Sequence, residues 1–202
     1  MSTSLHAEDP VSDSAPVGAP HPRRRWAKTD ATQQRILNAA IAVFRERGYS
    51  AATIGEVVAA SGASIGSIYH HFGGKSELFL AIYEHMAATI ESRIADAERS
   101  FDAQVRAYLD ALWENRHTAV VLGSDDVPPG FERIYRDGMR MWFRDWLSVL
   151  DIDHSTHGQL LARVIIALLT ESSAMLMPCD TPAEAAPVID AALICINKLI
   201  EV

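Results

Sequence analysis

Between positions 53 and 75 the chain gathers side chains suited to bonding anions and base edges: the hydroxyls of Thr53, Ser64, Ser67 and Tyr69, the imidazole of His70 and the ammonium of Lys75. Ser64, Ile65, Gly66 and Ser67 stand in one run. Its small side chains let a backbone come close to a partner, and its hydroxyls can meet phosphate or base-edge groups of double-stranded DNA. Upstream, Arg23, Arg24, Arg25 and Lys28 form a basic run. Two readings fit it, a flexible arm over the DNA backbone or minor groove and a solvated charge run. The parts of an enzyme are missing, with no nucleophile elbow, no metal-ligand cluster, no Gly-rich phosphate loop and no cofactor fingerprint. No catalytic residue, metal or cofactor is expected. His154 and His157 read as exposed helix-end residues, since no carboxylate or thiol stands at matching spacing. Cys179 and Cys195 lack a CxxC spacing and read as buried small apolar residues.

Helices must hold these groups in place. Ile36, Ala39, Ala40, Val43 and Phe44 recur at helical spacing and predict a helix from about Thr32 to Arg47. Thr29, Asp30 and Thr32 are its candidate N-caps, and Gly48 suits a left-handed C-terminal position, with Tyr49 folding back on the last turn. A second, short helix opens at Thr53, buries Ile54, Val57 and Val58 and stops at Gly62. Ser64 then caps a third, with Ile68 and Phe72 on one face and Gly73-Gly74 at its end. Two short helices joined by a Gly-containing turn make a helix-turn-helix. From Ser76 the apolar series Leu78, Phe79, Ile82, Tyr83, Met86 and Ile90 carries a longer helix, and further helices are expected over 102–117, 131–150, 158–177 and 183–200. Gly123 to Gly130 is the one long loop, and no alternating strand pattern or internal repeat is present. The fold class is all-α.

From Thr32 to Leu78 the chain reads TQQRILNAAIAVFRERGYSAATIGEVVAASGASIGSIYHHFGGKSEL. Thr32, Ile36-Leu37, Ala39-Ala40, Phe44, Gly48-Tyr49, Thr53, Gly62, Ser64, Gly66, Ile68-Tyr69, Phe72 and Lys75 fall where the DNA-binding domain of TetR/AcrR-family transcriptional regulators has the same types, so the stretch resembles that domain along its whole length. The resemblance implies a recognition helix with Ser64, Ile65, Gly66 and Ser67 in the major groove, and Tyr69, His70 and Lys75 on phosphates. Core packing is the alternative for Tyr69. Thr53 fits both a phosphate contact and an N-cap, and the two are compatible. Ala59, Ala60 and Ile65 depart from the family pattern, which commonly has charged or polar groups there. They weaken phosphate contact and bring a thymine-methyl contact by Ile65 into play.

The net charge of −8 divides unevenly: residues 23–79 hold eight basic groups against four acidic, and residues 80–202 hold ten against nineteen. Three units are expected. Residues 1–28 form a Ser-, Pro- and Ala-rich disordered tail with the basic arm, 29–78 the DNA-binding domain, and 79–202 a helical effector-binding and dimerisation domain. No uninterrupted apolar run approaches the roughly 18 residues of a membrane span and no signal peptide is visible, so a cytoplasmic protein is predicted. The last two helices suit burial on two sides and, with a second subunit's pair, would form a four-helix bundle, a homodimer the resemblance also implies. Trp113, Met139, Met141, Trp142, Trp146, Met175 and Met177 are either core or the lining of a cavity for a small-molecule effector. Glu171 interrupts the stripe of Leu160, Val164, Leu168 and Met175. It either faces that cavity and favours a cationic or hydrogen-bond-donating effector, or sits at the edge of the dimer seam beside Arg163 or Arg140. The functional expectation is a ligand-responsive repressor on a palindromic operator, the alternative being a helical dimeric adaptor without specific DNA binding.

Overall fold

The computed structural model describes residues 22–138 and 155–200, with residues 22–30 as backbone only. All regular structure among the described residues is helical. Helix α1 spans Pro22–Arg47. It begins ten residues ahead of the predicted start and runs through the expected caps at Thr29, Asp30 and Thr32. Pro22 explains the earlier start: proline lacks only an N–H that a first turn leaves unused, and the Arg, Ala and Lys that follow form helix well. Arg23, Arg24 and Arg25 lie in the first turn of α1.

Ile36, Leu37, Ala39, Ala40 and Phe44 form the buried stripe of α1. Packed against α1 are α2 (Ile54–Ser61) and α4 (Lys75–Asp96), and α3 (Ile65–Phe72) packs on α2 and α4. Helix α4 buries Leu78, Phe79 and Ile82 in this N-terminal head and Met86 and Ile90 farther along, so one helix belongs to both halves of the core.

The single helix expected over 102–117 is two, α5 (Phe101–Glu114) and α6 (Arg116–Leu122). Asn115 breaks it, its backbone off helical geometry at φ −100°, ψ 18° and its side-chain amide donating to the Ala111 carbonyl at 2.8 Å. Such amides satisfy helix-end carbonyls and so favour termini. Residues 131–138 form α7 as far as it is described. Helices α8 (Thr156–Leu176) and α9 (Pro182–Ile200) pack on each other and on α5. An 18-residue stretch of α8 has a mean hydropathy of 1.4, long and apolar enough to cross a bilayer. Its Ile165, Leu169 and Leu176 are fully buried, while 22% of the stretch as a whole is buried in the protomer. Cys179 is buried as expected, whereas Cys195 is exposed because it lies on the outer side of α9.

Candidate nucleic-acid interface and cavity

The caps fix the orientation of α2 and α3. Thr53 and Glu56 form a reciprocal capping box: the Glu56 N–H donates to Thr53 Oγ1 at 3.2 Å and the Thr53 N–H donates to Glu56 Oε2 at 2.9 Å. These bonds hold the Glu56 carboxyl below its usual range, the Thr53 backbone bond being the main cause. Of its two candidate roles, Thr53 visibly fills the cap. Gly62, in left-handed conformation at φ 64°, ends α2, and Ser64 accepts the Ser67 N–H at 3.1 Å to start α3.

Ile68 is the one fully buried residue of α3, which anchors the helix by a single face. Exposed on the same helix are Ile65, at 57%, and Tyr69, at 52%, with Ser64, Gly66 and His70 exposed beside them. Exposure removes the core-packing alternative for Tyr69. A Cβ built on Gly66 would meet nothing nearer than Ser64 Oγ at 3.9 Å. The fold itself has room for alanine there.

Lys75 begins α4, as expected, and its ammonium is engaged within the protomer. Its Nζ donates to the carbonyls of Tyr49 at 2.7 Å, Ala52 at 2.9 Å and Ser50 at 3.3 Å, and lies 4.4 Å from the centre of the Tyr49 ring. An ammonium has three hydrogens, and three carbonyls occupy them. The side chain staples the α1–α2 turn to the start of α4. From the other side Asp126, in the loop after α6, accepts the Ser50 N–H at 3.0 Å and the Ser50 hydroxyl. Those Ser50 bonds depress the Asp126 carboxyl. Gly48, at φ 77°, makes this grip possible, since a Cβ there would lie 2.5 Å from Asp126 Oδ2.

Beside α4 lies a cavity of about 890 Å³, walled by residues of α4 to α8. Tyr83, Glu91, Tyr108, Tyr135, Thr170 and Ser173 are among its polar lining residues. Burial pushes Tyr108 up to about 12 and raises Tyr83 and Tyr135 as well. A run of tilted and edge-on ring contacts leads from the cavity to the head: Tyr83 to Phe131 at 5.7 Å, Phe131 to Phe79 at 4.9 Å and Phe79 to Tyr49 at 5.4 Å. Tyr49 carries the Lys75 ammonium.

The expected cavity lining needs correction. Trp113 packs away from the cavity, its indole N–H donating to the Cys179 carbonyl at 2.9 Å and its ring covered by Arg116. Glu171 and Met175 are exposed and off the wall, to which α8 and its C-terminal end contribute Thr170, Ser173, Ala174 and Met177. Met177 of the expected set is on the wall, and Met139, Met141, Trp142 and Trp146 lie outside the described residues. Reading Met and Trp as the lining missed Tyr83, Tyr108 and Tyr135. The signal available was a tyrosine interrupting an aliphatic helical stripe, as Tyr83 does between Ile82 and Met86.

Residues 36–82 match the family model described as bacterial regulatory proteins, tetR family. The chain is 36% identical over 93 residues to the HTH-type transcriptional regulator SrpR of Pseudomonas putida, covering 45% of this chain and 44% of SrpR. It is 34% identical over 93 residues to the regulator TtgW of P. putida, covering 45% of this chain and 69% of TtgW. With AcrR of Shigella flexneri the identity is 35% over 82 residues, 41% of this chain and 36% of AcrR. The chain thus spans less than half the length of SrpR and AcrR. A transcriptional regulator from Aquifex aeolicus shares the fold at a TM-score of 0.70 and 19% identity, over 83% of this chain and 99% of that one. The matched segment holds the capped helices α2 and α3 and the first turns of α4, and the chain belongs to the TetR family of bacterial transcriptional regulators.

Proposed function

We propose that the protein is a cytoplasmic repressor that binds a palindromic operator as a homodimer and leaves it when a small molecule fills the cavity. One observation carries this reading. Helix α4 starts at Lys75, directly after α3, and its Tyr83, Met86, Ala87, Ile90 and Glu91 line the cavity, so a ligand there presses on the helix that positions the head. In the operator complex residues 29–78 form the DNA-binding unit. Ile65, Gly66 and Ser67 meet base edges, while Ser64, Tyr69 and His70, with the Thr53 backbone region and the arginines of the first α1 turn, meet phosphates and flanking groups. Lys75 contributes through the N-terminal end of α4, its ammonium being engaged internally.

Residues 79–202 bind the effector and dimerise. The outer sides of α8 and α9 support the dimer: Leu160, Val164, Met175 and Ile194 are 60%, 38%, 54% and 56% exposed in the protomer, a row of apolar groups with no cover. Glu171 lies on that row, which favours the dimer-edge reading for it. In a two-fold dimer the recognition helices stand roughly 34–36 Å apart, one DNA turn. An effector that binds the DNA-incompetent arrangement more tightly shifts the population away from DNA.

The test is binding of the full chain to a palindromic fragment from beside its own gene, followed by anisotropy across a salt series. A repressor gives a steep negative slope and at least a thousandfold preference over scrambled sequence. A flat slope without preference fits an adaptor and overturns the reading.

A further inference from the structure

Among the described residues the cavity wall carries three hydroxyls whose protons are committed, the Tyr83 and Tyr135 phenols and a single carboxylate, that of Glu91. Thr170 Oγ1 donates its only proton to the Ile166 carbonyl at 2.8 Å, and Ser173 Oγ donates to the Leu169 carbonyl at 2.7 Å. Ser124 Oγ donates to the Asp126 carbonyl at 3.2 Å. Three of the hydroxyls on the wall therefore have only lone pairs left for a ligand. Tyr108 Oη lies 3.4 Å from Ser173 Oγ. Glu91 is the one ionisable acid or base other than tyrosine on the wall among the described residues. It is exposed, which places its carboxylate at the mouth. The charge of Glu91 is felt inside: along with burial and Tyr135, it raises Tyr83. The remaining wall is aliphatic and aromatic, with the Tyr83 and Tyr135 rings 5.8 Å apart.

We infer that the effector is an organic cation with hydrogen-bonding protons, an apolar body ending in a protonated amine or similar group. Its body fills the aliphatic part of the cavity. Its charged head reaches Glu91, the lone pairs of Thr170 and Ser173 and the faces of Tyr83 and Tyr135, all of which attract positive charge. A carboxylate or phosphate in the same place could take protons from the Tyr83 and Tyr135 phenols but would meet the like charge of Glu91 and the lone pairs of Thr170 and Ser173. This inference rests on the cavity being the effector site, as proposed above.

Three probes of one shape separate the possibilities: phenylhexylammonium, phenylhexanol and phenylhexanoate, titrated calorimetrically into the full chain. The ammonium should bind at least tenfold more tightly than the alcohol, and the carboxylate most weakly. Glu91→Gln should weaken the ammonium about tenfold, equivalent to about 1.4 kcal/mol, and leave the alcohol unchanged. Equal binding of all three probes, or full ammonium affinity in the Gln variant, overturns the cation assignment while leaving the cavity as the site. Ala174→Trp fills the cavity and should abolish binding of every probe. A folded A174W protein that still binds them, or a parent protein that binds none, overturns the cavity reading and the cation assignment with it.

Discussion

The outer face of α3 and the cavity beside α4 differ in how their parts are drawn from the chain. Every group on the α3 face comes from the run between Ser64 and Phe72, held by two caps and one buried anchor, Ile68. The cavity wall takes residues from five helices spread between Tyr83 and Met177. A local surface of this kind tolerates little change in type or spacing, because each residue has a fixed position on one short helix. A cavity wall depends on how helices pack, and the same chemistry can be supplied from any of them. The parts meet at Phe79 and at the α1–α2 turn, where Lys75 and Asp126 grip opposite sides.

The most disruptive way to test that contrast is to cut the joint. Phe79 is fully buried and touches rings on both sides. Phe79→Ala should cost about 3–5 kcal/mol of stability. If head and body share one core, chemical denaturation will show a single transition at a lower midpoint, and a separate early transition of the head would break the picture of a shared core.

Lys75→Met comes next. Losing three charge-assisted bonds to carbonyls should cost about 2 kcal/mol. The salt slope of DNA binding should stay unchanged, because the ammonium is committed to the turn. A slope smaller by about one would return Lys75 to the phosphates.

Gly66→Ala separates fold from function on α3. Replacing glycine in a helix with room for a methyl should raise stability by up to about 1 kcal/mol. Operator affinity should fall in the same variant. Unchanged affinity would mean that no partner approaches this backbone.

A smaller effect is expected from Asp126→Asn, and it depends on pH. The folded carboxyl is depressed by its bonds to Ser50, so those bonds add stability above the ordinary carboxylate range and lose it as pH falls through the depressed value. The melting difference between parent and variant should therefore be present at neutral pH and close in acid. A difference independent of pH would show that the carboxylate charge plays no part in the grip. Smallest of all is Glu171→Gln, which should change phenylhexylammonium affinity by less than about 0.5 kcal/mol, since Glu171 faces away from the cavity.

The sequence by itself determined the head nearly residue by residue. Thr53, Gly62, Ser64 and Gly73 mark the ends of α2 and α3 because capping and left-handed turns are settled by a few adjacent residues. Burial of Ile36, Phe44, Val57 and Ile68 followed from period alone. Tertiary structure decided the rest. Lys75 sits in a polar motif and looks available for phosphate, yet carbonyls twenty-odd residues earlier in the chain surround its ammonium. Glu171 and Thr170 are neighbours on one helix, and only the packing of α8 on α5 and α9 turns one away from the cavity and the other to its wall. The periodicity of a helix tells how its faces are related, but which face meets a cavity, a core or a second subunit is settled by helices distant in the chain.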